Sequence, residues 1–365
     1  MPDQTGRPLR IIEIGDKPFI KSAFPDETLF FCTYAVAPKT DENAGIFNIS
    51  FRSIGKLRRL LRDETVSLIV CHPTFSAPWG LRAIGRALFS RRILQGYFPV
   101  IRSFGPQFVR GELAAPLIVL DQDDFPLINR CNLFLLERSA LFFKRELPVD
   151  RWRVFLKTAH RDLPTQRFRQ SPRFIRMVEK LRPISLGLPL GHPAQFPECP
   201  GKTSDVFFAG RIDGSSWVRT TGMQDLLELR AKGVKVDFVE SPVSREEFYQ
   251  RCAASWLTWS PEGFGWDCFR HYESLACGSV PVCSFPTIER HRPLVGGEHA
   301  IFYSGERGGL ADAVTKALAD KNRLAQLARQ GRAYVLAHHT PLALATYIVE
   351  QGLAFGRRSG ADGLP

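Results

Sequence analysis

The sequence has no long apolar run. Among its 365 residues, no stretch approaches the roughly 18 uncharged apolar residues that a membrane-spanning helix requires. The first residues, MPDQTGRPLRIIEIGDKPF, also lack the apolar centre of a signal peptide. We therefore expect a cytoplasmic chain. Its hydrophobic fraction of 44% is enough for a sizeable core, and at about 150 residues per domain its length predicts two domains.

Paired cysteines of the C-x-x-C type are also absent. The cysteines are scattered, at positions 32, 71, 131, 199, 252, 268, 277 and 283. Most have apolar neighbours, which favours reduced, buried thiols over disulfides or a zinc site. We expect neither a structural metal nor a cofactor.

Acidic residues are scarce in one segment, Arg151–Arg182. It holds ten Lys and Arg against two acids, so it contributes eight of the formal net charge of +12. Such a block favours a polyanionic partner, which could be a nucleic acid, a phosphorylated substrate or an anionic membrane surface. A solvated helix face followed by a linker explains the block equally well.

The second half of the chain alternates between predicted strands and helices. The predicted strands are Ser204–Gly210, Val234–Glu240, Trp256–Ser260, Ser279–Phe285 and His299–Gly305. Strands joined by helices in this way form βαβ units on a parallel sheet, with right-handed crossovers. The second half is therefore predicted to be a Rossmann-like domain.

The first half gives a similar but weaker pattern. Its predicted strands are Arg10–Gly15, Ser67–His72, Ala115–Asp121 and Cys131–Glu137, with a basic amphipathic helix, FRSIGKLRRLLRDE, between the first two. The fold class is therefore α/β, with two Rossmann-like domains facing a central cleft where ligands bind. The predicted divisions are a domain over 1–185, a Pro- and Gly-rich linker over 186–202, a domain over 203–340, and a C-terminal helix over 341–365 that ends in a disordered tail, GRRSGADGLP.

One segment, SPEGFGWDCFRHYESLACGSVPV, combines a cation and a carboxylate near the start of a helix predicted over Trp266–Cys277. At 100° per residue, Arg270 and Glu273 are neighbours beside the apolar stripe that faces the core. That stripe consists of Phe269, Tyr272, Leu275 and Ala276. A helix N-terminus and an Arg fork favour phosphate, and a carboxylate can accept both hydroxyls of a ribose. An ordinary i,i+3 ion pair is the simpler alternative.

The stretch YESLACGSVPV resembles the nucleotide-sugar-binding segment of GT-B glycosyltransferases, in the group 1 and exostosin-like families. FFAGR, at Phe207–Arg211, resembles the strand and turn that open their nucleotide domain. The resemblance covers about 200–340 and implies the GT-B architecture. It also implies sugar transfer from a nucleotide diphosphate sugar to a hydroxyl of a glycan or lipid-linked glycan. We expect no metal, because arginines and a helix N-terminus, rather than paired carboxylates, meet the phosphate charge.

The resemblance implies a role for particular residues. Glu273 takes the place that binds ribose, while Arg211 and Arg219 are candidates for the diphosphate. The full set implied for the nucleotide sugar is Gly210, Arg211, Arg219, Ser260, Glu262, Arg270, His271 and Glu273. His271 points about 100° away from Arg270 and could contact phosphate or sugar, or be a packed structural histidine.

This sequence departs from the family pattern at one carboxylate. Retaining group 1 enzymes have two Glu eight positions apart, but eight positions before Glu273 is Gly265, and Glu262 lies eleven before it. The WDCFRHYE segment is more similar to exostosin-type or spore-coat-type members. Whether the sugar retains or inverts its configuration stays open.

Catalytic candidates follow the predicted strands of the first half. They are Asp16, His72 and Asp121, each of which could take the proton of an acceptor hydroxyl or simply cap a turn. The run LIVLDQDD, with Asp121, Asp123 and Asp124, also resembles the D-x-D metal site of GT-A transferases, which would hold Mg²⁺ or Mn²⁺.

Other functions and partners remain compatible with the sequence. A nucleotide-sugar epimerase has the same architecture, and a basic nucleic-acid-binding protein would explain the charge, although no recognition signature of a known module is present. We expect no nucleic-acid partner. The segment Pro78–Phe98 combines apolar and basic residues, which predicts docking on the anionic inner face of the membrane unless the apolar residues pack on the sheet.

Overall fold

The computed structural model describes residues 8–33, 40–74, 105–160, 163–165, 171–197, 201–212, 216–239 and 241–361. The chain divides into two compact units. The first consists of Met1–Asp123, Leu127–Arg182 and Ala345–Pro365, and the second of Asp124–Pro126 and Pro183–Leu344. Each unit has its own sheet, so the predicted α/β class with two parallel sheets is confirmed.

The first unit is built on a sheet with the strand order β3-β2-β1-β4-β5-β6-β9. Its strands, with a separate antiparallel hairpin β7–β8, are β1 (Ile11–Gly15), β2 (Thr28–Cys32), β3 (Ile46–Asn48), β4 (Leu68–Cys71), β5 (Leu117–Asp121), β6 (Leu141–Lys144), β7 (Lys157–His160), β8 (Leu163–Thr165) and β9 (Leu181–Pro183). The pairs from β3 to β6 are parallel. Parallel pairing puts their carboxyl ends at one edge of the sheet.

Helices cover this sheet because its strands are apolar on both faces. The helices are α1 (Phe19–Ala23), α2 (Phe51–Leu61), α3 (Leu133–Arg138), α4 (Pro172–Glu179) and α10 (Pro341–Ala361). Ile12 and Ile14 of β1 share a core with Leu57 of α2. On the strands' other face, Leu68 and Ile118 lie close against Gly352 of α10.

The second unit is a five-stranded parallel sheet with the order β11-β10-β12-β13-β14. Its strands are β10 (Ser204–Ala209), β11 (Val236–Val239), β12 (Ser255–Trp259), β13 (Val280–Ser284) and β14 (Ile301–Tyr303). Its helices are α5 (Trp217–Ala231), α6 (Arg245–Ala253), α7 (Phe269–Ala276), α8 (Gly309–Leu318) and α9 (Lys321–His338). The predicted alternation agrees with the order of these strands and helices along the chain, except that the sequence pattern did not predict α9.

Alternate residues of β10 point into separate cores of the second unit. Phe208 packs with Trp259 and with residues of α5 and α8. Phe207 packs with residues of α6 and α7, such as Tyr249 and Leu275. This period of two buries helices against both faces of the sheet.

Several helices start at a serine that the sequence supplies. The side chains of Ser50, Ser171, Ser216 and Ser244 accept hydrogen bonds from backbone N–H groups in the first turns of α2, α4, α5 and α6. Each serine satisfies a donor that would otherwise have no partner in the helix. The helix starts next to the strand ends are therefore locally encoded.

The predicted strand Cys131–Glu137 is wrong. The chain forms a short 3-10 turn there and then α3. Leu135 and Leu136 are fully buried in the first core. A short apolar run fits a buried helix as well as a strand, so periodicity alone did not separate the two.

The helix predicted over Trp266–Cys277 is shorter in the structure, because α7 begins after Cys268. Trp266 precedes the helix, and its indole nitrogen donates to the carbonyl of Ser284 at 3.0 Å. Tyr272, Leu275 and Ala276 are buried as predicted, but Phe269 is 39% exposed. The error at Phe269 follows from its position in the first turn, which points past the core.

The chain around the predicted linker and the C-terminal helix packs closely. Leu188 and Phe196, from the Pro- and Gly-rich segment, are buried in a core of the second unit. The ring of Tyr347 in α10 meets Phe143 of β6 edge-on, with centroids 5.4 Å apart. The first part of the predicted disordered tail is helical, since α10 extends to Ala361. In the described part of the chain, no helix has the length and apolar character needed to cross a membrane.

Close packing of α5 on β12 makes a testable prediction at Gly222. A Cβ at this position would lie 2.3 Å from Cζ2 of Trp259, which is fully buried. Gly222→Ala should therefore lower the free energy of unfolding by about 1–3 kcal/mol, the usual cost of overpacking. The matched control is Gly55→Ala in α2, where a Cβ meets nothing within 4 Å. This substitution should raise the free energy of unfolding by about 0.5–1 kcal/mol, because Ala favours a helix more than Gly does. Urea unfolding of both variants checks the opposite signs.

Candidate functional site

The carboxyl edge of the second sheet borders a cavity of about 510 Å³. It lies where β10 ends and where α6 and α7 begin. The residues that line it include Gly210, Arg211, Arg245, Phe248, Arg270 and Glu273. The structure thus brings together Gly210, Arg211, Arg270 and Glu273, which the sequence assigned to nucleotide-sugar binding.

Arg270 has donors that no protein group satisfies among the described residues. Its Nη2 donates to the carbonyl of Ala209 at 3.1 Å, and its guanidinium lies 5.1 Å from the ring centroid of Phe208. Its Nε and Nη1 are buried and have no hydrogen-bond partner there. A side chain on Gly210 would approach Nη2 within 3.1 Å, so the glycine leaves room for the guanidinium. Buried unsatisfied donors on a cation favour an anionic ligand at this position.

Glu273 is held by a neighbour in α6. The hydroxyl of Tyr249 donates to its Oε1 at 2.9 Å. Burial raises the pKa of Glu273, while the Tyr249 hydrogen bond and the charges of Arg245 and Arg270 act in the opposite direction. Among the described residues, Arg270 and Glu273 therefore bond to different partners and do not form the simple i,i+3 pair.

Arg219 and Glu262 connect the loops beside the cavity. Arg219 donates from Nε to the carbonyl of Glu262 at 2.8 Å and from Nη1 to the carbonyl of Arg211 at 2.9 Å. Burial and then the charge of Arg270 lower the pKa of Arg219. The Glu262 carboxylate accepts hydrogen bonds from Ser216 and Ser284. Arg219 and Glu262 thus hold the loops in place, while Arg219 and Arg270 make the region electropositive.

Ser260 and His271 do not line the cavity. Ser260 is fully buried and His271 is 1% exposed. Their side chains bond to each other at 2.7 Å through Oγ and Nδ1, and Nε2 of His271 lies 2.9 Å from the carbonyl of Trp266. This is the geometry of the packed structural histidine that was the alternative for His271.

The carboxyl edge of the first sheet borders a smaller cavity, of about 60 Å³. Asp16 follows β1, His72 follows β4, and Asp121 ends β5, and all three line it. These strands are adjacent and parallel, so the three catalytic candidates predicted from the sequence lie together. Asn132 holds the loop after β4 through two hydrogen bonds to the backbone of Thr74.

His72 lies between two carboxylates. Its Nε2 is 3.1 Å from Oε1 of Glu13, and its Nδ1 is 3.6 Å from Oδ1 of Asp16. Burial acts against the charged ring, but its hydrogen bonds to Asp16 and Glu13 raise the pKa of His72 to about 9. For Asp16, burial is likewise opposed by His72, and the pKa of the carboxyl is lowered. At neutral pH the ring is therefore a cation beside a carboxylate.

Both carboxylate oxygens of Asp121 accept hydrogen bonds from other groups of the protein. Oδ2 accepts from Nζ of Lys144 at 2.9 Å, and Oδ1 accepts from the backbone of Asp123 at 3.0 Å. Both members of the Asp121–Lys144 pair are buried. Within the described residues, no group of three or more His, Cys, Asp and Glu is placed to hold a metal ion. The D-x-D carboxylate of the GT-A interpretation is thus already paired with a lysine.

The sequence did not point to three residues at these sites. Arg245 begins α6 at the cavity of the second sheet, Tyr249 binds Glu273 from the next turn, and Glu13 binds His72 from within β1. Arg245 could have been found from its place just after a predicted strand and a serine cap. Glu13 carried one signal, since it is an acid inside an otherwise apolar strand.

The two basic surfaces suggested by the sequence are only partly described. Pro78–Phe98 lies outside the described residues, so docking on a membrane through this segment stays a prediction. In the block Arg151–Arg182, Arg151 and Lys180 donate to the carbonyls of Leu181 and Glu137. On α2, the basic residues Lys56, Arg58 and Arg59 are exposed.

The buried pair at β5 and β6 makes a prediction that an exposed pair can control. Lys144→Met should leave the buried Asp121 carboxylate without its cation and cost about 3–5 kcal/mol of unfolding free energy. Arg173→Met breaks an exposed pair with Glu137, 2.6 Å long, and should cost about 1 kcal/mol or less. Denaturant unfolding of both variants measures the difference, and equal losses would contradict the burial argument.

Neither a protein-family model nor a curated protein matches the sequence. Solved structures do match. The glycosyltransferase of Rickettsia africae ESF-5 aligns with a TM-score of 0.54 at 7% identity, over 95% of this chain and 98% of that one. Sucrose-phosphate synthase of Thermosynechococcus elongatus aligns at a TM-score of 0.49 and 12% identity, over 97% and 100% of the two chains.

HepE of Anabaena, solved in complex with UDP, aligns at a TM-score of 0.47 and 14% identity, over 94% of this chain and 99% of that one. The Rickettsia enzyme carries the comparison, and at such low identity the likeness concerns the fold. The predicted architecture is confirmed on this ground: the chain has the fold of the GT-B glycosyltransferases.

Proposed function

We propose that the protein is a glycosyltransferase that moves a sugar from a nucleotide diphosphate sugar to a hydroxyl of a glycan or lipid-linked glycan. The observation that carries the proposal is the cavity at the carboxyl edge of the second sheet. Parallel α/β sheets bind their ligands at this edge, and here the edge combines a cation with unsatisfied buried donors and a positioned carboxylate.

The diphosphate would bind at Arg270. Its Nε and Nη1 have no partner among the described residues, and two charged oxygens of a phosphate match such a fork. Arg211 and Arg245 line the same cavity and are exposed, so their side chains can reach the phosphate oxygens that Arg270 does not bind. Arg219 supports this arrangement by holding the loops of Arg211 and Glu262 in place.

The ribose would bind at Glu273. One oxygen accepts the Tyr249 hydroxyl, which fixes the orientation of the carboxylate and lets it accept hydrogen bonds from sugar hydroxyls. Glu273 lies one helical turn after Arg270 in α7. That spacing suits a nucleotide whose phosphate and ribose follow one another along the helix.

The first unit would bind the acceptor and supply a proton acceptor. Asp16 lines the cavity at the carboxyl edge of the first sheet and has a lowered pKa, so it is a carboxylate at neutral pH. Asp121 is a weaker candidate, because both of its oxygens already accept hydrogen bonds. Enzymes commonly use such a positioned carboxylate to take a hydroxyl proton.

The donor site is tested by Glu273→Ala. Loss of charged hydrogen bonds should weaken the binding of a nucleotide diphosphate by about 1–3 kcal/mol, measured by calorimetry. Glu298→Ala, at an exposed glutamate elsewhere in the second unit, is the control and should bind normally. A thermal-shift screen of nucleotide diphosphates and their sugars identifies the ligand, with about 2.7 kcal/mol of added stability expected at 100 times its dissociation constant. Unchanged affinity of a folded Glu273→Ala protein would remove Glu273 from the site.

We further propose that transfer does not require a metal ion. Arg211, Arg245 and Arg270 line the proposed phosphate site, and Asp121 is paired with Lys144. Turnover should therefore be undiminished in EDTA. The assay follows release of the nucleotide diphosphate with acceptor present, and loss of activity that Mn²⁺ restores would contradict the proposal. Conversion of the donor to an epimer without acceptor would instead indicate an epimerase.

A further inference from the structure

We propose that Glu13 is a positioning residue of the first unit, which holds His72 as an imidazolium beside Asp16 at neutral pH. The catalytic consequence rests on the proposed function, whereas the charge state of His72 does not. The sequence signals only that Glu13 is an acid inside a buried strand, not which residue it contacts.

The Glu13 carboxylate is surrounded by donors. It is completely buried. Oε1 accepts from the backbone N–H groups of Phe19 and Ile20 at 2.9 and 3.0 Å, and Oε2 accepts from Lys21 N–H at 2.9 Å. These three bonds hold the start of α1. A carboxylate buried so completely requires compensation by a nearby positive charge.

His72 supplies that cation. Its Nε2 lies 3.1 Å from Glu13 Oε1, and its other ring nitrogen faces Asp16. At these distances both carboxylates stabilise the charged form of the ring. The other basic group near Glu13 is Lys21, whose Nζ donates to the carbonyls of Pro25 and Thr28. The pKa of Lys21 is lowered, by burial first, with partial compensation from the charges of Asp26 and Glu13.

The His72 ring packs closely against β1 at Gly15. A Cβ on Gly15 would lie 2.6 Å from Cδ2 and Cγ of His72, so only glycine lets the ring approach β1. The other charged groups that line this cavity are Lys17, Asp121 and Asp123. Asp121 is neutralised by Lys144 of β6. The carboxylates that meet the ring itself are therefore Glu13 from β1 and Asp16 from the loop after it.

These contacts assign different roles to His72 and Asp16. An imidazolium has no lone pair with which to take a proton, so His72 cannot be the general base at neutral pH. Asp16 keeps an accepting carboxylate and is oriented by the ring. As the pH rises through about 9, the ring loses its charge and Asp16 loses its cationic neighbour. Catalysis should decline in the same range.

The direct test is the titration of His72 in the full-length protein by NMR. Its ring resonances are identified by their absence in His72→Gln. In the wild type the ring should titrate near pH 9, and in Glu13→Gln its pKa should fall by at least one unit. Glu137→Gln, at an exposed acid of the same unit, is the control and should leave the titration unchanged. A wild-type value at or below the ordinary 6.5, or no shift in Glu13→Gln, would overturn the proposal.

The catalytic part has a separate measurement. If the protein is a transferase, the alkaline limb of its pH profile for kcat should move towards neutral pH in Glu13→Gln, while KM for the nucleotide sugar stays constant. A uniform loss of rate with an unmoved limb would show a purely structural role. If Glu13→Gln does not fold, the wild-type titration and that of Asp16→Asn decide the charge state. If no transferase activity is found but His72 titrates near pH 9, the charge assignment is supported. Only the proposed function is then refuted, by the missing activity.

Discussion

Parallel pairing of strands places the side chains of both candidate sites. In the first sheet, β1, β4 and β5 are neighbours, so the residues after their last positions meet at one edge. In the second sheet, β10 ends beside the starts of α6 and α7, and the same rule gathers Gly210, Arg270 and Glu273. Far-separated parts of the sequence become adjacent because each loop leaves its strand on the same side.

The treatment of buried charge distinguishes the supporting residues from those that can meet a ligand. Glu13 accepts three backbone N–H bonds and faces His72, while Lys144 is paired with Asp121. The cost of burying these ions is offset within the protein. Arg270 differs, because two of its buried nitrogens have no partner among the described residues. An anionic ligand would complete its hydrogen bonding, and this contrast supports the donor site proposed above.

Much of the fold could be predicted from the sequence where the local signals agree. Apolar strands, serine caps and glycine stops define the order of β10 to β14, and the predicted strands agree with these to within a few residues. Prediction failed at Cys131–Glu137, where a short apolar run forms α3, and at Phe269, where the first turn of α7 points past the core. Both errors involve segments whose burial depends on distant neighbours.

The candidate site shows the same division. Gly210, Arg270 and Glu273, which were named from one turn and one short helix, line one cavity in the structure, because that turn and the start of that helix meet at the same edge of the sheet. Tyr249 and Glu13 could not be predicted, because their roles exist only through contacts with Glu273 and His72, which lie 24 and 59 positions away in the chain.

The sequence by itself determined the alternation of strands and helices, the capped helix starts and the residue types at the strand ends. The tertiary structure alone decided which of those residues have partners and which do not. Ser260 and His271 bond to each other in the interior, whereas Arg270 has two buried nitrogens that meet no partner in the described part of the chain. The local sequence pattern specifies on which face of a helix or strand a side chain lies. Whether its polar atoms find hydrogen-bond partners depends on groups that only folding brings within about 3 Å.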